Sequence, residues 1–234
     1  NDFFAVSKDV VSKMIAGEYT AQQAYRAFNA RLLAEETPAD DEIVLTSGKS
    51  YSNVFHANGG SASFSVMANT LRGVYGTDVL LATANSFTGS VLQADYNKKM
   101  AASMIMPNGL MSRQRTMTGA ELKETVRAFV EGCKGGFTPF NRGSLPVVSG
   151  IAMEVQEDHG TYTLTKFTRD GEAVRDEDTF TVTCLAAAKH MAPLLADESR
   201  AFEGGDVRVR NTWAEYVAQD DAVLAEPEPY ISLR

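Results

Sequence analysis

Apolar positions recur at helical spacing near the start of the chain. Residues 3–15 carry apolar side chains largely at that spacing, and Gly17 follows as a stop signal. A Thr-x-x-Gln capping box at Thr20 and Gln23 then opens a second apolar stripe. The pattern predicts a helical hairpin over residues 1–36, and the acidic, proline-containing segment that follows marks a domain boundary.

A helix and a strand are predicted next along the chain. Several apolar residues share one face of a helix over residues 61–72, which either Gly73 or Gly76 would close. The run from Val79 to Ala82 is apolar throughout, so it predicts a strand that is covered on both faces, as in an α/β sheet.

The second half of the chain changes from helical to strand-like patterning. A capping box at Thr118 and Glu121 opens a helix that runs to Gly132. The remaining predicted elements are strands at 147–156, 161–168, 179–185 and 231–233, a hairpin turn at Asp170-Gly171, and a helix at 212–218. We therefore predict an α/β (α+β) fold with a mixed β-sheet flanked by helices and preceded by the helical hairpin.

Composition narrows the classes of partner. The 234 residues include 22 basic and 30 acidic side chains, a formal net charge of −8. Neutralising nucleic-acid phosphates requires clustered lysine and arginine, so we expect no nucleic-acid partner. The apolar runs are too short to cross a bilayer, so no membrane span is predicted. Cys133 and Cys184 have no metal-ligand spacing and are expected to be buried thiols, with a disulfide as the alternative.

Residues that commonly carry catalysis are sparse. The three histidines, His56, His159 and His190, lie far apart without a metal-binding pattern, so we interpret them as ordinary surface or core residues. Ser149-Gly150 lacks the context of a nucleophile elbow and is interpreted as turn chemistry. The stretch from Gly59 to Ser61 could bind an anion through backbone amides, but a plain helix N-cap is the favoured interpretation.

The order of several short motifs resembles the C-terminal domain of the 5'-nucleotidase / 2',3'-cyclic-nucleotide 2'-phosphodiesterase family. Each motif is weak by itself, and their order and spacing carry the resemblance. It covers roughly residues 50–234, within a predicted domain 37–234 that would be a divergent member. The matching segments are 69–85, 107–122, 148–151, 213–217 and 230–234.

The resemblance implies that this chain takes part in nucleotide hydrolysis by holding the nucleotide, while the reaction itself is carried out by another domain. In the family, an N-terminal metallophosphoesterase domain binds two divalent metals, and the C-terminal domain holds the nucleotide. We therefore expect no catalytic residue, metal or cofactor in this chain, which alone should be inactive. The expected partners are that N-terminal domain of the parent protein and a nucleoside or nucleotide-like small molecule. The expected location is extracytoplasmic: periplasmic, secreted or on the cell surface.

The residues that contact nucleotide in the family are largely replaced. The resemblance places Asn85 at the asparagine of an N-x-G-G-x-R-like loop, but the paired glycines and the arginine are missing. Leu145 stands where the first base-stacking ring is expected, and residues 186–191 lack the Gly-Gly-Asp-Gly motif that precedes the second. A different site could be rebuilt, although core phenylalanines and exposed arginines are the default interpretation. The candidate substrate-binding residues are Asn85, Phe87, Phe140, Asn141 and Arg142.

Two functions follow from these observations. The first is the substrate-binding domain of a 5'-nucleotidase-like enzyme. The second is a non-catalytic interaction or scaffold domain that kept the fold and lost the ligand site, whose helical hairpin could dock a neighbouring domain.

Overall fold

The computed structural model describes residues 12–13, 15–18, 42–106, 111–133, 145–185 and 203–234. The chain divides into two compact units, Asn1–Glu42 and Ile43–Arg234. In the first unit Ser12, Lys13 and Ile15 are helical, and Gly17 has a φ of 73°. The rest of the predicted hairpin lies outside the described residues, and the domain boundary after residue 36 stays a prediction.

The second unit mixes helices and strands, as predicted. Its helices, as far as the structure describes them, are α1 Ala62–Tyr75, α2 Lys98–Ser103, α3 Gly119–Glu131 and α4 Val209–Val217. Its strands are β1 Ile43–Ser47, β2 Val79–Thr83, β3 Ala94–Asn97, β4 Met111–Thr118, β5 Pro146–Ser149, β6 Ala152–Asp158, β7 Thr161–Arg169, β8 Glu172–Ala173, β9 Thr179–Cys184, β10 Glu203–Arg208 and β11 Ile231–Leu233.

The strands form three sheets. A five-stranded mixed sheet has the order β10-β4-β9-β2-β5, with β2 parallel to β9 and antiparallel to β5. A four-stranded sheet has the order β11-β6-β7-β8, and β1 pairs with β3. Every residue of β2 is buried, which confirms the predicted strand with two covered faces.

Helices α1 and α3 begin where their capping residues predict. The Ser61 hydroxyl accepts a hydrogen bond from the Phe64 amide, and Gly76, with a φ of 63°, ends α1 in the left-handed conformation. Thr118 and Glu121 form the predicted capping box of α3. Local sequence chemistry therefore sets the starts of both helices.

The predicted strand over residues 147–156 is wrong as a single element. Gly150 has a φ of 84° and separates β5 from β6, which belong to different sheets. A side chain at that position would overlap the carbonyl oxygen of Asp78, so the backbone here requires glycine. The sequence patterns also missed β1, β3, α2, β4, β8 and β10.

An extended segment near the end of the chain crosses α1. We call residues 224–230 the strap. The Thr70 hydroxyl accepts from the Ala225 backbone N–H at 2.9 Å, and the Asn69 side-chain NH₂ group donates to the Glu226 backbone carbonyl at 2.9 Å. Ser65 both donates to and accepts from the Glu228 backbone, each at 2.8 Å. Three polar side chains on one helix thus hold a segment that lies outside the named strands and leads into β11.

Both cysteines lie in the core. Cys133 and Cys184 are buried thiols that do not form a disulfide, which confirms the favoured interpretation. No helix within the described part of the chain has the length and apolar character that crossing a membrane would need.

Candidate functional site

The ends of several elements meet at one edge of the five-stranded sheet, which we call the carboxyl edge. Strand β2 is followed there by a 3-10 turn, Ala84–Ser86. The Ala84 amide donates to the Leu145 carbonyl at 2.9 Å, and the Leu185 amide donates to the Leu81 carbonyl at 2.7 Å. The start of β5 and the end of β9 therefore flank the end of β2. Ligands of open α/β sheets bind outside the carboxyl ends of parallel strands, so this edge is the candidate site.

Asn85 occupies the centre of the turn after β2. Its side chain is exposed, in contrast to the fully buried strand before it. No other residue in the described ranges forms a hydrogen bond with this amide. It can therefore offer a donor and an acceptor to a ligand.

Ser86 has a buried hydroxyl beside Asn85. The residue is 1% exposed, and its Oγ has no hydrogen-bond partner in the described part of the chain. Its backbone carbonyl accepts from the Met106 amide at 3.1 Å, so the backbone is fixed while the hydroxyl is not satisfied. Burying such a group costs about 1–3 kcal/mol, and unsatisfied groups of this kind occur at functional sites.

The loop after the turn is braced from two sides. The Ser63 hydroxyl donates to the Gly89 carbonyl at 3.0 Å and accepts from the Val91 amide at 3.2 Å. The Asn53 backbone N–H donates to Ser90 Oγ, and the Ser90 hydroxyl donates to the side-chain oxygen Oδ1 of Asn53, both at 3.2 Å. Since Ser63 lies in the first turn of α1, the start of α1 lies at the carboxyl edge too.

Tyr230 fills the space beside the start of α1. Its ring lies against Gly60, where a side chain would overlap it, and its hydroxyl accepts from the Ser61 amide at 3.3 Å. Burial raises the pKa of Tyr230 to about 12, against the smaller opposing effect of that hydrogen bond. The stretch from Gly59 to Ser61 thus serves as a helix cap, which was the favoured interpretation.

The opposite end of β2, which we call the amino edge, has different chemistry. The Asp78 carboxylate accepts from the Thr181 amide at 2.9 Å, from the Thr181 hydroxyl at 2.8 Å and from Arg169 Nη2 at 3.1 Å. The Thr181 backbone hydrogen bond is the largest cause that lowers the pKa of Asp78. The Arg169 guanidinium also lies 5.5 Å from the centre of the Phe180 ring. Asp78 therefore links β2, β9 and β7.

A cleft of about 390 Å³ lies near the amino edge, and sequence patterns did not indicate it. Its lining includes Tyr75, Thr77, Gln114 and Arg115. Arg115 forms an ion pair with Glu121 at 2.8 Å, so its charge is already compensated. The cleft contains none of the predicted site residues.

Metal-ligand chemistry is not assembled in the part of the chain that the structure describes. Within it, no three or more histidine, cysteine, aspartate or glutamate side chains could together hold a metal ion. His159 is exposed in the β6–β7 turn with a φ of 49°, and His56 is exposed in a loop. His190 lies outside the described residues.

Comparison with known proteins places the architecture. No protein-family model matches the sequence, and no curated protein matches it. Among solved structures, Haemophilus influenzae NAD nucleotidase matches 92% of this chain and 42% of its own, with a TM-score of 0.64 and 17% identity. For a 5'-nucleotidase precursor from Thermus thermophilus, the match covers 91% of this chain and 43% of the precursor, with a TM-score of 0.58 and 13% identity. The sulfate thiohydrolase SoxB of the same organism matches 91% and 39%, with a TM-score of 0.64 and 13% identity.

The chain has the fold of a 5'-nucleotidase C-terminal domain. It spans less than half the length of these solved structures. This confirms the predicted fold class and the resemblance on which it was based.

Within this 5'-nucleotidase-like domain, two positions considered for ligand contact lie in the core: Phe87, a candidate for a rebuilt site, and Leu145, at the ring position that the resemblance implies. Phe87 is 0% exposed and packs on Phe64, with ring centres 6.0 Å apart, so no face of its ring is open to a ligand. Leu145, at the first expected ring position, is also buried. Counted from Asn85 along the N-x-G-G-x-R pattern, the arginine position is Ser90.

The remaining predicted site residues cannot be placed. Phe140, Asn141 and Arg142 lie outside the described residues, as do residues 186–191. Of the predicted set, the structure places Asn85 at the carboxyl edge with an exposed side chain, and it places Phe87 in the core beneath. Sequence reasoning missed Ser86 and Asn53, because their significance depends on burial and on a contact between distant segments.

Proposed function

We propose that this chain is the ligand-holding C-terminal part of a larger 5'-nucleotidase-like phosphoesterase. It binds a nucleoside or nucleotide-like small molecule at the carboxyl edge through Asn85. The observation that supports this most is the match of 92% of this chain to 42% of a nucleotidase chain. A braced loop supports it further, because this loop carries the exposed Asn85 amide beside the buried Ser86 hydroxyl, which has no hydrogen-bond partner among the described residues.

In this proposal the chemistry belongs to another part of the parent protein. Two divalent metals bound there would activate water for phosphoester hydrolysis. In the same proposal this chain contributes binding and orientation of the substrate. An extracytoplasmic location is part of the same proposal and would be tested by fractionating cells that express the full-length parent.

Titration calorimetry of the 234-residue chain with adenosine and AMP tests the proposal. We expect binding at millimolar concentration or tighter. Asn85→Ala should weaken it about 5-fold, because one or two hydrogen bonds of ~1 kcal/mol each are lost. Gln156→Ala, an exposed change on β6, is the matched control and should leave the affinity unchanged. No binding by the unmodified chain, or equal binding by Asn85→Ala, would contradict the proposal.

A second candidate is a non-catalytic interaction or scaffold domain. The burial of Phe87 and Leu145 favours it, because Phe87 was a candidate ligand contact, Leu145 stands at the expected position of a base-stacking ring, and both pack in the core. In that case neither adenosine nor AMP binds, and the parent protein keeps its interactions when Asn85 is changed. Copurification of the parent with its partners, compared between unmodified and Asn85→Ala protein, separates the two candidates.

A further inference from the structure

Asn58 and Gly59 lie at the tip of a tight loop just before α1. The His56 backbone N–H donates to the Gly60 carbonyl at 3.1 Å, and the Gly60 N–H donates to the His56 carbonyl at 3.0 Å, with residues 57–59 between them. Asn58 is exposed, and Gly59 has a φ of 110°. Asparagine is chemically labile, and a glycine after it leaves the backbone nitrogen unhindered for attack on the asparagine side chain. This dipeptide therefore has the composition of a deamidation site.

The two reacting groups of this dipeptide are both hydrogen-bonded to β11. The Gly59 N–H donates to the Ile231 carbonyl at 2.7 Å, and the Ser232 hydroxyl donates to Asn58 Oδ1 at 3.1 Å. Strand β11 is also paired in parallel with β6, and its Ile231 is 3% exposed. One docked strand thus holds both the nucleophile and the group that it would attack.

Deamidation requires both groups to be released. Hydroxide removes the Gly59 N–H proton, and the nitrogen attacks the side-chain carbonyl carbon of Asn58. A new C–N bond closes a cyclic succinimide, the bond from that carbon to the side-chain nitrogen breaks, and ammonia leaves with a proton taken from water. Water then opens the succinimide at either carbonyl and gives aspartate or isoaspartate. The net reaction consumes water and releases ammonia.

Pairing with β11 opposes the start of this reaction. A paired backbone N–H loses its proton only when its hydrogen bond opens, which is why amides in β ladders are protected from hydrogen exchange. The Ser232 bond restricts rotation of the Asn58 side chain, on which the approach of its carbonyl carbon to the Gly59 nitrogen depends.

We propose that Asn58 is a deamidation site protected by β11, so that the reaction proceeds only in molecules from which β11 has detached. This modification is independent of the proposed ligand. Its isoaspartate product adds a methylene to the main chain at residue 58. The flanking bonds, from Leu233 N–H to the Ala57 carbonyl and from Gly59 N–H to the Ile231 carbonyl, are both 2.7 Å long and cannot both keep their register across that insertion.

Peptide mass spectrometry of the 234-residue chain gives the rate at Asn58. The folded chain and the chain unfolded in guanidinium chloride are incubated at the same mildly alkaline pH before digestion. The folded chain should deamidate Asn58 at least about 10-fold more slowly, because molecules with β11 detached are a small fraction of the population. Asn108-Gly109 is the same dipeptide and gives the reference rate in the unfolded chain. Equal rates at Asn58 in the two states would overturn the proposal.

A pair of core substitutions tests whether β11 is the element that opens. Ile231→Ala on β11 and Leu122→Ala on α3 remove the same number of carbon atoms from buried side chains. Ile231→Ala should deamidate Asn58 at least about 10-fold faster than the unmodified chain, and Leu122→Ala should change the rate by less than about 2-fold. Equal acceleration in both variants would mean that global unfolding exposes the site. That result, or no acceleration in Ile231→Ala, would contradict protection by β11.

Hydrogen exchange of the unmodified chain provides a measurement that needs no variant to fold. The Gly59 amide should be protected in the folded chain. Low concentrations of guanidinium chloride should raise its exchange rate and the Asn58 deamidation rate by the same factor, because both follow the same opening. An unprotected Gly59 amide, or exchange that rises without deamidation, would overturn the proposal.

The isoaspartate product is compared with Asn58→Asp, which carries the same charge without the added methylene. Ion exchange separates the deamidated protein by its additional negative charge. Its isoaspartate fraction should unfold at a lower urea concentration than Asn58→Asp does. Equal midpoints would show that β11 pairs normally after the modification and would overturn that part of the proposal.

Discussion

The two ends of strand β2 differ in how completely their polar groups are satisfied. At the amino edge, the Asp78 carboxylate receives three hydrogen bonds from Thr181 and Arg169 and connects the two larger sheets. At the carboxyl edge, the Asn85 amide is exposed and the Ser86 hydroxyl is buried without a partner in the described ranges. One strand thus has a structural connection at one end and an open polar turn at the other. Ligand-binding sites commonly contain polar groups whose hydrogen bonds are not all made within the protein.

Substituting Gly150, which lies against Asp78 at the amino edge, should cause the largest loss of stability. Gly150→Ala places a side chain at a φ of 84° and against the backbone oxygen of Asp78, which cannot move aside. We expect a loss of at least about 3 kcal/mol in the free energy of unfolding, measured in urea. Gly171→Ala is the control, because it has the same φ of 84° with no atom within 4 Å. It should cost about 1–2 kcal/mol, and an equal loss in both variants would contradict the role of the close approach.

Removing the charge of Asp78 should have the next largest effect. Asp78→Asn replaces one acceptor oxygen by a donor group that faces other donors, so about 1–3 kcal/mol of stability should be lost at neutral pH. The Arg169 part of this is reduced by solvent screening, since both side chains are more than a third exposed. Asp95→Asn, an exposed acceptor for Thr46, should change stability by less than about 0.5 kcal/mol.

The stability difference between the unmodified protein and Asp78→Asn should depend on pH. The pKa of Asp78 is lowered in the folded protein, so its stabilisation is fully present above the ordinary aspartate value of 3.8 and is lost as pH falls through the folded pKa. The stability difference between unmodified protein and Asp78→Asn should therefore be constant near neutral pH and shrink in acid. A difference that persists at the lowest pH where the protein folds would show that the charge is not its cause.

Tyr230 tests the packed layer beneath the carboxyl edge. Tyr230→Phe loses the hydrogen bond from the Ser61 amide and should cost about 1 kcal/mol at neutral pH. Because the pKa of Tyr230 rises from 10.0 to about 12 in the folded protein, the unmodified chain should lose stability as pH increases through that interval. Tyr230→Phe should lose less over the same interval. Parallel alkaline titrations of the two proteins by circular dichroism would decide this.

Ser86→Ala should have the smallest effect on stability and the opposite sign. Removing an unsatisfied buried hydroxyl should leave the free energy of unfolding unchanged or raise it by up to about 1 kcal/mol. If the hydroxyl serves binding, the same variant should bind adenosine more weakly. A clear loss of stability would instead show that the hydroxyl has a structural partner, and the contrast between the two ends of β2 would weaken.

Structural features that depend on residues close together in the sequence were predictable from it. The capping chemistry of Ser61 and of Thr118 with Glu121 placed the starts of α1 and α3, and the apolar run of β2 indicated burial on both faces. Strand β4 was missed because its pattern is mostly polar. Its Arg115 is compensated by an ion pair with Glu121 on α3, a tertiary contact that periodicity does not reveal.

The sequence indicated one exposed polar position of the candidate site but not how its neighbours are packed. The resemblance to the family indicated Asn85, and the structure exposes the Asn85 side chain directly after the buried strand β2. The burial of Phe87 depends on contact with Phe64, which lies 23 positions earlier on α1. The pairing of Asn53 with Ser90 likewise joins segments that sequence patterns treat separately.

The strap has a consequence for how this sequence can vary. Ser65, Asn69 and Thr70 hold residues 225–228 of the strap through backbone amides and carbonyls, so these helix side chains do not contact the side chains of residues 225–228. Homologues should therefore tolerate many substitutions in residues 225–229 while retaining hydroxyl or amide side chains on the helix. Insertions or deletions there should be rare, because a change of one residue would shift every backbone group out of register with its partner.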